Sequence, residues 1–544
     1  MKKAWYKEGV VYQIYPRSFN DSNGDGIGDI PGIIDKIPYL KTLGVDIIWL
    51  SPVYASPNDD NGYDISDYRA INPEYGTMGD MELLIGELHE AGIRLIMDLV
   101  VNHTSDEHEW FQKAIAGDKT YQDYYFFRDK KRNWTSLFGG DAWTYQENVE
   151  QYYLHLFSKK QPDLNWDNEK VREEIKAIIR YWLDKGVDGF RCDVINLIGK
   201  EDGPPNGRFW HLPRGREHYI NHSKAHQYLQ ELRDDVFSNY DCFTVGEAVL
   251  TSPEEALEYV DEDIRELDMV FQFDHMGADN HFIKWFMKPF KPMNLKKPLS
   301  NWQRKLNNHG WNSLYLENHD QPRSISRFGS ESMRNKSGKM LATMLYFQRG
   351  TPFIYQGQEI CMINADFDDI DDYQDIETHN IYKLGRKFLM SHKRMMKKIK
   401  HMSRDHARTP MQWDKTKYVG FSDHKPWIKV PTNQQEINVK DSLEDSDSIL
   451  TYYRKIIILR KKYPVIVYGD YRDLKFEQEN LYAYERRLKD ISVTVICNFS
   501  DKPLATDLLK RYMDQSVILS NYPDQGDHDA LRPYEARVYL NEPG

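Results

Sequence analysis

Gly189-Phe190-Arg191-Cys192-Asp193-Val194-Ile195-Asn196 is the stretch on which the reading of the fold turns. It is short, apolar at its start, and ends on an aspartate. Alternation along a strand puts Arg191 and Asp193 on one face and Cys192 on the other, toward a covering helical layer. Working outward, the same kind of run recurs. Strands are predicted at Val10–Phe19, Asp46–Pro52, Arg94–Asn102, Gly189–Asn196, Phe243–Ala248, Met269–His275, Ser313–Asn318 and Pro352–Glu359. Amphipathic stretches fall between them, among them Pro31–Leu43, Asp80–Ala91, Val171–Lys185 and Ser337–Arg349. Such alternation predicts an α/β fold, a (β/α)8 barrel with its site at the carboxyl ends of the strands.

Two gaps break the rhythm. Residues 104–170, after strand three, are rich in Trp, Tyr, Asp and Gly with little helical period, and read as an inserted, loop-rich domain. Residues from about 361 to 415 follow strand eight and hold an acidic run, Asp366–Asp375, and a basic run, Lys393–Lys400. Both runs read as solvated faces. From about 465 short alternating strands (Leu481–Arg486, Ser492–Asn498, Ala536–Leu540) predict a C-terminal antiparallel β domain, a small sandwich. The predicted division is therefore barrel 1–103, insertion 104–170, barrel 171–464 and β domain 465–544.

The bulk properties narrow the partners. At 544 residues the chain exceeds one hydrophobic core. A net charge of −12 argues against nucleic acid or an anionic membrane as partner. No run approaches the ~20 apolar residues of a membrane helix. Lys2 and Lys3 are not followed by an apolar signal core. Four scattered cysteines show no metal or redox spacing. A soluble, reduced, cytoplasmic monomer is expected.

Polar residues gather where the predicted strands end. Strand three ends in Asp98-Leu-Val-Val-Asn102-His103, strand four carries Arg191-Cys192-Asp193, strand five ends in Gly246-Glu247, and strand seven in Asn318-His319-Asp320. One buried carboxylate beside an arginine is adequately explained as an ion pair; three, on strands four, five and seven, are not. Glycoside cleavage needs two carboxyl groups in different protonation states, and about 5–5.5 Å between them lets one attack the anomeric carbon with retention. Asp193 is assigned as nucleophile and Glu247, with its longer reach, as the acid. Arg191 is placed to hold Asp193 ionised. His103 and His319 suit sugar hydroxyls; neither has a second ligand at zinc spacing.

At these residues the sequence resembles the α-amylase superfamily, and within it the oligo-1,6-glucosidases. The resemblance spans nearly the whole chain. It takes in Val11-Tyr12-Gln13-Ile14-Tyr15-Pro16, Asp60-Asn61-Gly62-Tyr63-Asp64, the four strand-end blocks, Gly350-Thr351-Pro352, Gln356-Gly357 and Arg404-Asp405-His406-Ala407-Arg408-Thr409-Pro410. It implies Asp193 as nucleophile, Glu247 as acid/base and Asp320 as the carboxylate that steadies the transition state. It also implies that Asp60 and Arg408 close a glucose pocket, that Tyr63 stacks on the glucose, and that Phe138 and Gln161 line its wall.

Val194, directly after the nucleophile, resembles the α-1,6-preferring members, where maltases carry Ala or Thr. The implied activity is exo-hydrolysis of isomaltose, panose and isomalto-oligosaccharides, with trehalose-6-phosphate hydrolase or an α-1,4-specific maltase as alternatives. Ala248-Val249-Leu250, Glu317 and Gln358 depart from the common pattern. The first lies at the leaving-group side. After strand six, His281-Phe282-Ile283-Lys284-Trp285-Phe286 lacks the Arg- and Asp-rich loop of isomaltulose-forming relatives.

Asp21-Ser-Asn23-Gly-Asp25-Gly-Ile27-Gly-Asp29 sets oxygen donors at alternate positions, with glycines to turn the loop. Such hard oxygens suit Ca²⁺, although the loop is not a full EF-hand, since position twelve is Gly32 and not Glu. The resemblance supports a structural Ca²⁺ held by Asp21, Asn23, Asp25, Asp29 and the Ile27 carbonyl. No organic cofactor is implied.

Overall fold

The computed structural model describes residues 3–281, 283–307, 309–524, 526 and 529–542. Met1, Lys2 and Phe282, each part of a reading above, lie outside the described residues. All eight predicted strands form: Val11–Ile14, Ile47–Leu50, Arg94–Leu99, Gly189–Cys192, Phe243–Glu247, Met269–Phe271, Ser313–Leu314 and Thr351–Tyr355. They are members of one eight-stranded sheet, and a helix follows each strand in the chain, as in a (β/α)8 barrel. Each strand stops short of its predicted carboxyl end, so Asn102, His103, Asp193, Asn318, His319 and Asp320 sit on the loops that follow, while Glu247 still closes its strand.

Two compact units divide the chain: Met1–Gly28, Asp35–Ile48 and Phe273–Gly544 form one, Asp29–Ile34 and Trp49–Gln272 the other. In the second unit, strands three to six pair in order and in parallel, with Asp98 opposite Arg191 and Gly246 opposite Cys192. Gly189 lets strands four and five approach: its φ is +152°, and a Cβ there would lie 2.0 Å from the Phe243 carbonyl oxygen. The helix Glu169–Asp184 starts where Asn168 accepts from the Lys170 amide and buries Val171, Ile175, Ile178, Ile179 and Trp182 along one face.

The inserted segment is more ordered than its sequence foretells. It holds helices Glu109–Ile115 and Lys119–Gln122 and an antiparallel sheet in which Gln151–Leu154 pairs with both Phe127–Arg128 and Trp143–Gln146. Helices of one or two turns are too short to leave a period.

In the first unit, strand eight pairs with strands one and seven. The segment after strand eight carries helices Ile376–Lys387 and His392–Met402; the latter buries Met395, Met396 and Ile399 while Lys393, Lys397 and Lys400 are exposed. The chain ends in an antiparallel sheet ordered Asp470–Leu474, Leu481–Leu488, Ile491–Asn498, Ala536–Asn541, Ser516–Ser520, with a two-stranded partner, Leu504–Ala505 and Ala530–Leu531. Leu481, Ala483 and Ile496 fill its core with Leu508, Leu509 and Tyr539. Among the described residues, no helix is long and apolar enough to cross a membrane.

Candidate active site

Strand four does what its sequence implies and more. Arg191 is fully buried and meets three carboxylates: Nη1 donates to Asp98 Oδ1 at 2.5 Å and to Asp193 Oδ1 at 2.6 Å, and Nη2 donates to Glu247 Oε2 at 2.7 Å. Asp193 and Glu247 are thus held on adjacent arms of one guanidinium. Asp98 also accepts from Trp49 Nε1 at 2.7 Å. Burial pushes the Asp98 carboxyl up to about 6, against the pull of Arg191. Sequence reasoning quoted Asp98 in its block yet gave it no role. Asp98 is the penultimate residue of its strand and pairs in register with Arg191, which was the available signal.

Val194 takes an unusual backbone. Its φ and ψ are 35° and 40°, left-handed for a β-branched residue, and its amide donates to Glu247 Oε2 at 3.2 Å. The side chain packs in an apolar cluster with Trp134, Leu197 and Tyr219, and Val249 lies against it. Cys192 is buried and unpaired, and burial raises its thiol.

Five further predicted residues lie in the same unit. His103 Nε2 donates to the Tyr63 carbonyl at 3.0 Å, and burial lowers the imidazole to about 4, so it is neutral near pH 7. Gln161 Nε2 donates to Asp60 Oδ2 at 3.1 Å. The Tyr63 hydroxyl reaches Asp98 Oδ2 at 3.4 Å, and its ring centroid lies 5.7 Å from the Arg191 guanidinium carbon. Phe138 is half-buried, edge-on to Phe157 at 5.4 Å, and Phe157 in turn packs on His103.

The first unit carries the remaining predicted groups. Gln13 Nε2 donates to His319 Nδ1 at 2.8 Å, which leaves Nε2 of the ring to donate to Asp320 Oδ2 at 3.1 Å. Asp320 Oδ1 accepts from Arg408 Nη2 at 2.9 Å and from Arg404 Nη1 at 3.1 Å. Burial raises the Asp320 carboxyl, but His319, Arg404 and Arg408 outweigh it and hold it well below the usual carboxylate range. Arg408 also donates from Nε to the His319 carbonyl at 3.1 Å. Arg404 is anchored by Asp375, whose Oδ1 accepts from Nη2 at 2.5 Å.

Asp375 corrects the reading of the acidic run. Asp366, Asp368, Asp369 and Asp371 are exposed, but Asp375 is fully buried, because Arg404 supplies the charge that makes burial tolerable. Of the departures from the family pattern, Glu317 is buried against Arg323 and Ser324, and Gln358 accepts from the Tyr355 amide.

In the loop at 21–27, Asp21 Oδ1 accepts from the Asn23 and Gly24 amides and Oδ2 from Gly26, while Asn23 and Asp25 accept from the Asp25 and Ile27 amides. These Asx turns set three oxygen-bearing side chains along one short loop, the donor type that hard cations take. Asp29 belongs to the other unit, where it accepts from the Gly32 amide at 2.6 Å. Sequence reasoning also passed over Gln13, Arg404 and Asp375, all recognisable only once long-range partners are known.

The model of the α-amylase catalytic domain matches residues 13–469, and the chain belongs to the α-amylase family of glycoside hydrolases. It is 51% identical, over the full length of both chains, to an oligo-1,6-glucosidase of Halalkalibacterium halodurans. It superposes on a trehalose-6-phosphate hydrolase from Bacillus licheniformis with a TM-score of 0.95 at 44% identity, covering 99% of this chain and 100% of that one. For the isomaltulose synthase of Klebsiella sp. LX3 the TM-score is 0.96 at 40% identity, with the same coverage.

Proposed function

We propose that this enzyme is a retaining exo-α-glucosidase acting on α-1,6 bonds at the non-reducing end of isomaltose, panose and isomalto-oligosaccharides. One observation carries the reading: a single buried guanidinium holds Asp193 and Glu247 side by side. Asp193 attacks the anomeric carbon while Glu247 gives its proton to the leaving oxygen, forming a glucosyl ester. Glu247 then takes a proton from water as that water attacks the same carbon, and the ester breaks with configuration retained. Arg191 favours the ionised form of Asp193 before it attacks and again when the ester breaks. Asp320, held ionised by Arg404 and Arg408, is assigned to grip sugar hydroxyls and stabilise developing positive charge. Asp60, Tyr63, His103, Phe138, Gln161, His319 and Arg408 are assigned to the glucose pocket.

The 1,6 preference rests on Val194. Its strained backbone and packed side chain leave the β-branched group little freedom, so it narrows the leaving-group side against an α-1,4-linked neighbour. Glucose release measured side by side on isomaltose, maltose, sucrose and trehalose-6-phosphate tests this. Isomaltose should win; a tenfold preference for maltose or trehalose-6-phosphate would reassign the substrate.

Ca²⁺ is assigned to Asp21, Asn23, Asp25, the Ile27 carbonyl and Asp29 as a stabilising ion remote from the chemistry. It supplies charge that ties the loop oxygens together. Four buried, unpaired cysteines agree with a reducing compartment, and we take the working form to be a cytoplasmic monomer.

A further inference from the structure

The connection after strand four displays a pair of aromatic side chains that the reaction above does not use. Residues 199–222 link the strand of Asp193 to helix Ser223–Asp235. Phe209 and Trp210, near the middle of this connection, are each 76% exposed. Large exposed rings are ordinary on a loose loop, but this loop is anchored at both legs.

Trp134 of the inserted segment clamps it. Its Nε1 donates to the Pro205 carbonyl at 2.8 Å, and His218 stacks on its ring at 5.8 Å with planes 6° apart. Gly215 passes so close that a Cβ there would lie 2.4 Å from the same ring. Asn133 accepts from the Gly207 amide at 2.7 Å and donates to the Gly207 carbonyl at 3.0 Å. Glu217 accepts from the Arg208 amide at 2.6 Å and pairs with His211 Nδ1 at 2.7 Å. The residues on either side of the aromatic pair are therefore fixed.

Arg214 lies 4.7 Å from the Phe209 ring centroid and holds that ring in place. Trp134 and Tyr219 share one apolar cluster with Val194, next to the nucleophile, so the ring that clamps this loop belongs to the core that also packs the leaving-group side.

Rigid, exposed aromatics beside cationic hydrogen-bond donors suit a ligand with apolar faces and hydroxyl edges, which describes a glucosyl ring. We infer that Phe209 and Trp210 form a platform that binds glucosyl units of an α-glucan beyond the scissile bond. This inference rests on the α-glucosidase reading and adds chain-length selection to it. Longer isomalto-oligosaccharides then bind better than the disaccharide, at unchanged chemistry.

The test compares isomaltose with isomaltotriose through isomaltohexaose on the wild-type enzyme and on Trp210→Ala, Trp210→Phe and the Phe209→Ala/Trp210→Ala double variant. Both rings are exposed, so the variants should fold, as checked by circular dichroism. In the wild type KM should fall with chain length. In Trp210→Ala that dependence should shrink, with KM for the longest substrates up about fivefold, kcat unchanged and isomaltose within about twofold. Trp210→Phe should restore most of it, and the double variant should abolish it.

Equal KM changes at every length, no change at any length, or failure of Phe to restore would overturn the platform. So would a loss of self-association in Trp210→Ala on sedimentation, which would assign the rings to a second copy. Failure of the wild type to release glucose from isomaltose would instead sink the glucosidase reading, and is read from a separate arm.

Discussion

Arg191 Nη2 donates to Glu247 Oε2 at 2.7 Å across two neighbouring strands, with Arg191 carried in strand four and Glu247 closing strand five. The strand pairing that sets Val245 opposite Arg191 fixes this bond, so the backbone positions the chemistry before any substrate arrives.

Arg191→Lys removes the planar fork that serves Asp98, Asp193 and Glu247 together. A fall in kcat of about 100-fold or more is expected, with the fold retained. Arg191→Ala strands buried carboxylates and should lower stability by about 3–5 kcal/mol. Steady-state kinetics and thermal unfolding distinguish the two. Near-wild-type turnover in Arg191→Lys would show that the guanidinium serves only the fold.

Val194→Ala should open the leaving-group side and raise the maltose-to-isomaltose ratio of kcat/KM by about tenfold. An unchanged ratio would move the linkage preference elsewhere.

Asp375 and Asp368 belong to one acidic run yet should behave oppositely. Asp375→Ala leaves Arg404 without its buried anchor, so the melting temperature should drop by several degrees and kcat/KM should fall with it. Asp368→Ala, at 85% side-chain exposure, should stay within about 0.5 kcal/mol of wild type.

That contrast shows what the sequence made legible. The eight strands were readable because apolar, β-branched runs buried on both faces contrast with amphipathic helices. Asp193, Glu247 and Asp320 were readable because each closes such a run. Solitary burial was not: nothing local separates Asp375 from its exposed neighbours, since its partner lies 29 residues on.

The predicted helix Pro31–Leu43 is two helices, Ile30–Asp35 and Ile37–Leu43, broken at Lys36. Pro38 has no amide to continue the ladder and its ring crowds the preceding turn, a rule the amphipathic pattern overrode in the reading.

His103 gives a pH signature. Its pKa is lowered from about 6.5 unfolded to about 4 folded, so between those values the unfolded chain binds more protons. Its contribution to stability is present above about pH 6.5 and lost as pH falls toward 4. The fall in melting temperature from pH 6.5 to pH 4.5 should be smaller in His103→Gln than in wild type, as followed by calorimetry. An identical fall would mean that His103 does not carry this signal.

Chelation tests the cation loop. EDTA should lower the melting temperature while leaving kcat unchanged well below it, and Ca²⁺ should restore the temperature more fully than Mg²⁺. Asp21→Asn should be insensitive to both. A melting temperature indifferent to EDTA would remove the ion from the account.

The most direct test of the central claim is the anomeric form of the glucose first released from p-nitrophenyl α-glucoside, whose leaving group has no anomeric centre, read by proton NMR before mutarotation. Passage through an ester on Asp193 predicts α-glucose as the initial product, with the β form growing in later. Initial release of β-glucose would contradict it, because a single displacement by water would then have done the work assigned to Asp193.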